Sequence, residues 1–163
     1  MIWRDDDILH RGFGLEPLLL VDDCLQAAGV VHTIAIIART LTPALARVIL
    51  ERRMSAQLHC WDHDDLAVHA EARAQLAEAV ARIEDLIGVR PTTLYPPWNR
   101  TSGALEAAAA ALGLTVSAEK ISLEQFIRVS GDVPEASVVN FHYWFPPDRE
   151  ALTQALKVRA AAA

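Results

Sequence analysis

Two histidines four residues apart, His59 and His63, have the spacing in this chain that most directly suggests chemistry. Residues at positions i and i+4 share one side of a helical turn, so their two imidazoles can bind the same metal ion. The segment also permits a plainer interpretation, a polar loop in which Asp64 or Asp65 caps the helix that follows. Such spacings often arise by chance, so the pair alone does not decide between the two.

Three consecutive aspartates, Asp5, Asp6 and Asp7, follow the short apolar and aromatic segment 1–4, which suits a buried strand. Carboxylates this close repel one another, and water, a cation or protonation must offset the repulsion. The run is therefore interpreted either as a solvated turn or helix cap, or as part of a cation site.

Two further clusters combine aromatic and polar side chains. Pro96 and Pro97 form a rigid turn that fixes the direction of Trp98 and Asn99, and an exposed tryptophan on a rigid loop is a common ligand platform. The second cluster, at 142–145, combines a histidine with three aromatic residues directly after an apolar run.

Strands and helices are predicted to alternate along the chain. Strands are expected at 1–4, 30–38, 55–60, 91–95, 114–118 and 137–141. Helices are expected at 17–28 after a loop containing Gly12 and Gly14, at 43–53, at 65–87 as the longest, at 103–112, at 122–127 as one or two turns, and at 148–158. The segment 131–136 is expected to be a loop.

This alternation, without any hairpin signal, predicts an α/β protein whose mainly parallel sheet is either open or closed into a (β/α) barrel. In such sheets functional residues collect at the carboxyl ends of the strands. All four clusters fall at predicted carboxyl ends, which favours the metal interpretation of His59 and His63.

Length and composition narrow the possible function classes. A chain of 163 residues is expected to form a single domain over 1–163. The net charge of -6 argues against a nucleic-acid partner, and no apolar run reaches the length of a membrane span. The acidic N-terminus does not resemble a signal peptide, and two cysteines are too few for a disulfide framework, so a cytoplasmic location is expected.

Two imidazoles and one carboxylate form a metal site of the catalytic type, because they leave coordination positions open for water and substrate. The aspartate run can supply the ligating carboxylate and a second carboxylate as general base, and His142 can serve as general acid. Cys60 would point away from His59 on a strand and is expected to be a small core residue. These groups together suit metal-assisted hydrolysis of an amide or ester.

Four ordered motifs resemble those of the polysaccharide deacetylase family, the NodB-type carbohydrate esterases. They are the segment 3–7, the segment 59–63, the proline loop 96–99 and the Phe141-His142 pair, and together they span nearly the whole chain. The resemblance implies a distorted or incomplete (β/α) barrel that binds a divalent metal, commonly zinc. It also implies a carbohydrate substrate from which an N- or O-acetyl group is removed.

Carried over motif by motif, the resemblance implies a role for each candidate residue. The base and the aspartate ligand are assigned to Asp6 and Asp7, because the aliphatic Ile8 follows, and the pair Asp5 and Asp6 is the alternative register. His59 and His63 are the remaining metal ligands, and His142 is the acid. The substrate-binding residues are Trp61, Pro97, Trp98, Asn99 and Trp144. The backbone near Trp98 is expected to help bind the oxyanion.

The chain departs from the family pattern at three places. The glycine that usually follows the aspartate pair is absent, and no counterpart of the family's aspartate-tryptophan motif is evident. The arginine that the family places before the prolines is Tyr95 here, so Arg4 and Arg100 are the candidates to orient the base in its place.

The main hypothesis is a deacetylase of an N-acetylated sugar or soluble glycan precursor. The alternatives are a catalytically impaired carbohydrate-binding protein on the same scaffold and another metal-dependent amidase. The sequence leaves the oligomeric state open.

Overall fold

In the described part of the chain, seven strands, all paired in parallel, form one sheet. The structure is a computed structural model that describes residues 1–8, 14–135 and 137–162. The strands are β1 (Ile2–Asp5), β2 (His32–Ile37), β3 (Ser55–Cys60), β4 (Thr93–Leu94), β5 (Thr115–Val116), β6 (Ile121–Ser122) and β7 (Val138–Phe141). Their order in the sheet is β5-β4-β3-β2-β1-β7-β6, with β5 and β6 at the two edges. The sheet curls into a half-barrel, which confirms the predicted incomplete (β/α) barrel.

Among the described residues, six α-helices connect and flank these strands. They are α1 (Leu15–Ala27), α2 (Pro43–Glu51), α3 (Ala72–Ile87), α4 (Gly103–Ala110), α5 (Leu123–Arg128) and α6 (Pro146–Ala162). The Thr42 side chain accepts a hydrogen bond from the Leu45 N–H and so caps α2, as the threonine-proline pair predicts. Ser102 caps α4 in the same way, and Gly88 ends α3 in the left-handed conformation that glycine adopts without steric cost.

The core lies between the sheet and the surrounding helices. Every residue of β2 is buried, as expected of an apolar, β-branched strand in the middle of a parallel sheet. Trp3 of β1 packs edge-to-face against Phe126 of α5, with 5.4 Å between the ring centroids. Burial therefore holds β1, the strand that leads into the aspartate run, in a fixed position.

Several elements differ from the sequence prediction, and β4 and β5 are each only two residues long where five were expected. The helix expected from residue 65 begins at Ala72, because the Asp65 carboxylate accepts the Ala67 N–H and pairs with Arg100, which holds this segment in turns. The last helix is longer than predicted and, at 17 residues, exceeds the 16 residues of α3. The short strand β6 was not predicted, and two residues carry too little pattern to reveal it.

Some expectations lie outside the described residues. They concern Gly12 in the loop predicted before α1, and residue 136 at the end of the predicted loop 131–136. Among the described helices, none combines the length and the apolar character needed to cross a lipid bilayer.

Candidate functional site

The four predicted clusters meet in one pocket at the carboxyl ends of the strands. The pocket has a volume of about 290 Å³. Its lining consists of Asp6, Asp7, His59, His63, Trp98, Asn99, Lys120, His142 and Trp144. Residues that follow β1, β3, β4 and β7 thus face one cavity, because all these strands run in the same direction.

Asp7 lies between the two histidines of the HxxxH segment. Its Oδ1 atom is 3.1 Å from His59 Nε2 and 2.9 Å from His63 Nε2. One ligand atom from each of the three side chains lies within 4.8 Å of the others. This is the arrangement expected of two imidazoles and a carboxylate that share one metal ion.

The orientation of His59 is fixed by the neighbouring strand. His59 is the next-to-last residue of β3, and its Nδ1 atom lies 2.5 Å from the Tyr95 carbonyl oxygen just after β4. A carbonyl accepts, so Nδ1 carries the proton and Nε2 presents a lone pair toward Asp7. Histidines that ligate metals commonly donate their other ring N–H in this way.

His63 is positioned by a tight turn after β3. Its backbone has φ 56, in the left-handed region, and its N–H donates to Cys60 Sγ at 2.9 Å. Cys60 is buried in the hydrophobic core, as expected, and burial raises the pKa of its thiol. Cys60 is therefore a neutral structural anchor for this turn and not a soft metal ligand.

Left-handed backbone conformations concentrate at this pocket. Asp7, His63, Trp98 and Asn99 all have φ between 54 and 60. Such conformations are uncommon outside glycine and cost on the order of 1–3 kcal/mol when strained, most clearly for the bulky Trp98. Backbone strain of this kind persists at functional sites because the surrounding contacts hold it there.

The residues present fit a divalent metal. Asp7 Oδ1 and His59 Nε2 are buried and, within the described part of the chain, neither has a hydrogen-bond partner of good geometry. Burial alone would raise the pKa of Asp7, but protonated imidazoles at His59 and His63 would donate to it and hold this pKa well below its usual range; when both rings are neutral, a bound cation supplies the positive charge instead. A buried, ionised carboxylate beside two lone-pair donors is a set that a cation satisfies.

Asp6 is held through one of its two carboxylate oxygens. Arg4 Nη2 and Asn140 Nδ2 both donate to Asp6 Oδ2, each at 2.8 Å. The second oxygen, Oδ1, is buried and has no hydrogen-bond partner among the described residues. Asp6 therefore has one anchored oxygen and one oxygen available to accept a proton.

Of the two arginines considered as partners of the base, Arg4 is the one that contacts Asp6. It is fully buried, its Nη2 atom also donates to Asn99 Oδ1 at 3.1 Å, and its guanidinium carbon lies 4.4 Å from the Tyr95 ring centroid. Tyr95, which follows β4, thus supports by cation–π contact the β1 arginine that binds Asp6. The second candidate, Arg100, pairs with Asp65 at 2.7 Å and makes no contact of this kind with Asp6.

Removal of the Arg4 guanidinium is expected to lower the free energy of unfolding substantially. Arg4→Met leaves the buried Asp6 carboxylate without its cation, and breaking a buried ion pair in this way costs about 3–5 kcal/mol. Arg100→Met is the matched control, since its exposed pair with Asp65 is worth less than about 1 kcal/mol. Urea denaturation of both variants measures the difference, and equal losses would contradict the assigned role of Arg4.

Asp5 points away from the two histidines into a separate buried network. Its carboxylate lies 3.3 Å from His32 Nε2 and accepts the Tyr143 N–H at 2.9 Å, while His32 Nδ1 lies 3.2 Å from Asp22. Burial raises the pKa of Asp5 to about 6 against the opposing effect of His32. Asp5 therefore ties the segment after β7 to the centre of the sheet.

His142 is oriented by an aspartate at the start of α6. Asp148 Oδ2 accepts the His142 backbone N–H at 2.7 Å and lies 3.1 Å from His142 Nδ1. Burial alone would lower the pKa of His142, but the bond to Asp148 and the charges of Asp6 and Asp7 raise it above the ordinary 6.5. The ring therefore stays protonated to a higher pH than an ordinary histidine, and in that form Nε2 is its second donor.

Two of the predicted substrate-binding residues are not brought into the pocket. Trp61 packs partly buried against the hydrophobic core, which removes its ring from the pocket lining. Pro97 is buried in the turn itself, where it shapes the loop that presents Trp98 and Asn99. The other predicted aromatic, Trp144, lines the pocket beside His142, with 5.2 Å between the ring centroids.

Sequence reasoning missed Lys120 and Asp148. Lys120 precedes the unpredicted strand β6, and Asp148 sits where the acidic first turn of a helix is ordinary. The spacing of Asp148 from His142, six residues across two prolines, was the one signal that could have pointed to it.

Comparison with known proteins supports the resemblance. The family model described as polysaccharide deacetylase matches residues 20–117, more than half of the 163 residues. A comparison of the sequence with curated proteins gives no significant match.

Solved structures of the same fold include enzymes and a pseudoenzyme. A family 4 carbohydrate esterase from Streptomyces lividans, in complex with acetate, is 16% identical with a TM-score of 0.83, covering 99% of this chain and 88% of that one. A family 4 acetyl xylan esterase from Clostridium thermocellum, in complex with a cobalt ion, is 19% identical with a TM-score of 0.81, covering 99% of this chain and 84% of that one. A family 4 pseudoenzyme from Bacillus anthracis is 15% identical with a TM-score of 0.83, covering 98% of this chain and 60% of that one.

At these identities the structural likeness establishes the fold, while the sequence match establishes the family. The chain belongs to the polysaccharide deacetylase family.

Proposed function

We propose that this protein is a metal-dependent hydrolase that removes an acetyl group from an N-acetylated sugar or glycan precursor. The observation that carries the proposal is the convergence of three ligand atoms within 4.8 Å in the same pocket as Asp6 and His142. Membership of the polysaccharide deacetylase family supports the substrate class.

Asp7, His59 and His63 would hold the metal, for which zinc is the proposed ion because two imidazoles and a carboxylate suit it. A bound ion of this type lowers the pKa of water and polarises a carbonyl oxygen. The orientation of the ligands comes from the chain, through the bond of His59 to Tyr95 and the turn that positions His63.

Asp6 is the proposed general base. Its Oδ2 atom is occupied by Arg4 and Asn140, so the proton of the attacking water would go to Oδ1. The position of Asp7 beside both histidines supports the Asp6–Asp7 register, because Asp5 is engaged by His32 and Tyr143.

His142 is the proposed general acid. Asp148 engages its backbone N–H and Nδ1, so Nε2 would give its proton to the leaving nitrogen of the sugar amine. Trp98, which is 57% exposed, and Trp144 border the same pocket and offer aromatic faces for a sugar ring.

Acetate release from a panel of N-acetylated sugars tests this proposal. We expect release by the zinc-loaded protein and its loss after chelation, with recovery on adding zinc back. The panel should include short neutral N-acetylglucosamine oligomers, with O-acetylated xylan fragments as the ester comparison and a small cyclic amide whose ring opening is followed by product analysis. Hydrolysis of the cyclic amide alone would point to another amidase, and no hydrolysis at any metal loading would refute the proposed activity.

A carbohydrate-binding protein with impaired chemistry is the second candidate. The observation in its favour is Tyr95 at the position where the family has an arginine. The contact of Arg4 with Asp6 argues against it, because the base keeps a buried guanidinium partner. Sugar binding by the zinc-loaded protein without acetate release would support this second candidate.

The pH dependence of activity is expected to change in Asp148→Asn. A general acid must be protonated, so activity falls as pH rises through the pKa of His142, which lies above the ordinary 6.5. The substitution removes the closest carboxylate that raises this pKa, while Asp6 and Asp7 remain, so the alkaline limb of kcat/KM should move to lower pH. At a pH above the pKa of His142, each unit by which that pKa falls lowers the protonated fraction of His142 about tenfold.

The matched control is Asp85→Asn on the exposed side of α3, which should leave the pH profile in place. Melting temperatures of both variants establish that the proteins are folded. An Asp148→Asn profile that coincides with the wild-type profile would contradict the pairing of Asp148 with a catalytic His142.

A further inference from the structure

Lys120 and Asn140 form a hydrogen-bonded pair that reaches the proposed base. Asn140 is buried on β7, and its Oδ1 atom accepts a hydrogen bond from Lys120 Nζ at 2.9 Å. Its Nδ2 atom donates to Asp6 Oδ2 at 2.8 Å. The three side chains therefore form one connected chain of hydrogen bonds.

The chemistry of lysine fixes the direction of this chain. A lysine ammonium only donates, so the end of the Asn140 amide that faces Lys120 must be the oxygen, and its NH₂ must face Asp6. The acceptors around Nδ2 agree with this direction, since the Arg4 carbonyl oxygen lies 3.4 Å away in addition to Asp6 Oδ2. The opposite orientation would place the amide oxygen against the Asp6 carboxylate, an unfavourable contact between two acceptors.

The sheet places Lys120 for this contact. Lys120 is the residue before β6, and β6 pairs in parallel with β7 so that Ser122 lies opposite Asn140. Lys120 is exposed as a whole, but partial desolvation of its ammonium lowers its pKa. No carboxylate of the described residues forms an ion pair with it, so the Asn140 oxygen is the polar contact of Lys120 that the structure shows.

We propose that Lys120 is a positioning residue for Asp6 that acts through Asn140. By fixing the amide orientation, Lys120 keeps a second donor on Asp6 Oδ2 beside Arg4, which leaves Oδ1 as the proton acceptor. The catalytic part of this inference rests on the proposed function, whereas the hydrogen-bonded geometry does not.

The kinetic test compares Lys120→Met, which cannot donate, with Lys120→Arg, which can. In Lys120→Met we expect kcat to fall by about tenfold to a hundredfold, a range typical of a misplaced reacting group, with little change in KM or zinc affinity. Lys120→Arg should recover most of the lost rate. The chain has one other lysine, the exposed Lys157, and Lys157→Met is the matched control that should behave as wild type.

A second measurement tests the hydrogen bonds of the Asn140 amide independently of enzymatic activity. The chain has only two asparagines, so the side-chain amide signals of Asn140 can be assigned in a ¹⁵N–¹H spectrum by their disappearance in Asn140→Leu. We expect the Asn140 amide protons to exchange slowly in the wild type, Lys120→Arg and Lys157→Met, and faster in Lys120→Met.

The possible outcomes separate the two proposals. A Lys120→Met protein with unchanged amide exchange, or with raised KM and unchanged kcat, overturns the positioning role; the second result would make Lys120 a substrate contact. A third outcome is that the wild-type protein releases no acetate, yet its Asn140 amide protons exchange slowly and this slow exchange depends on Lys120. That outcome would refute the proposed function, while the anchoring of Asp6 would stand.

Discussion

His63→Ala is expected to abolish the rise in melting temperature that zinc produces in the wild-type protein. At a free zinc concentration of about 100 times the dissociation constant, binding to the folded state contributes about 2.7 kcal/mol. For a chain of this length, that corresponds to an increase of roughly 5–10 °C. Without His63 the site keeps one imidazole and one carboxylate, which is too few for tight zinc binding, and acetate release should fall with it.

The control for this experiment is another histidine outside the pocket. His69 is half-buried and contacts the Glu71 N–H and the Gln75 side chain. His69→Ala should therefore keep the full zinc-dependent increase, whatever its own effect on stability. A normal zinc response in His63→Ala would rule out the assigned metal site.

Asp6→Asn is expected to reduce kcat by about 10²–10⁴ while the protein still binds zinc. The amide keeps an oxygen acceptor for Arg4 but cannot take up the proton of the attacking water at neutral pH, and general bases contribute factors of this size. Zinc binding should persist because Asp7, His59 and His63 are intact. Steady-state acetate release, together with the zinc-dependent melting temperature, measures the two effects separately.

Asp5→Asn is the informative comparison for this variant. Asp5 contacts His32 and the Tyr143 N–H, so its substitution should mainly lower stability and reduce kcat less than Asp6→Asn does. The reverse ranking, with retained stability in Asp5→Asn, would favour the Asp5–Asp6 register instead.

The sequence was sufficient to predict the architecture because the relevant signals are local. The buried β2 run, the threonine-proline cap of α2 and the glycine after α3 each act within a few residues. Parallel strands follow from alternating strand and helix patterns, and the carboxyl ends of such strands share one edge. The gathering of His59, His63 and His142 at one pocket could therefore be predicted without knowing any contact.

The boundaries that failed depend on contacts with distant segments. The turns before α3 persist because Arg100 reaches Asp65, and β6 exists because it pairs with β7. Neither interaction has a signature within its own segment, so local periodicity could not reveal it.

The sequence by itself determined the fold class, the family and the types of side chain available for catalysis. It left the aspartate register open, since three identical carboxylates in a row differ only in what each of them faces. Only the tertiary structure assigned Asp7 to the histidines and Asp5 to His32, and only it showed that Arg4, and not Arg100, is the arginine partner of Asp6. The contacts of Asp5 and Asp7 depend on strand order and register, as does that of Asp6 with Asn140, 134 positions along the chain. A slip of one residue in β1 would turn each of these side chains to the opposite face of the sheet.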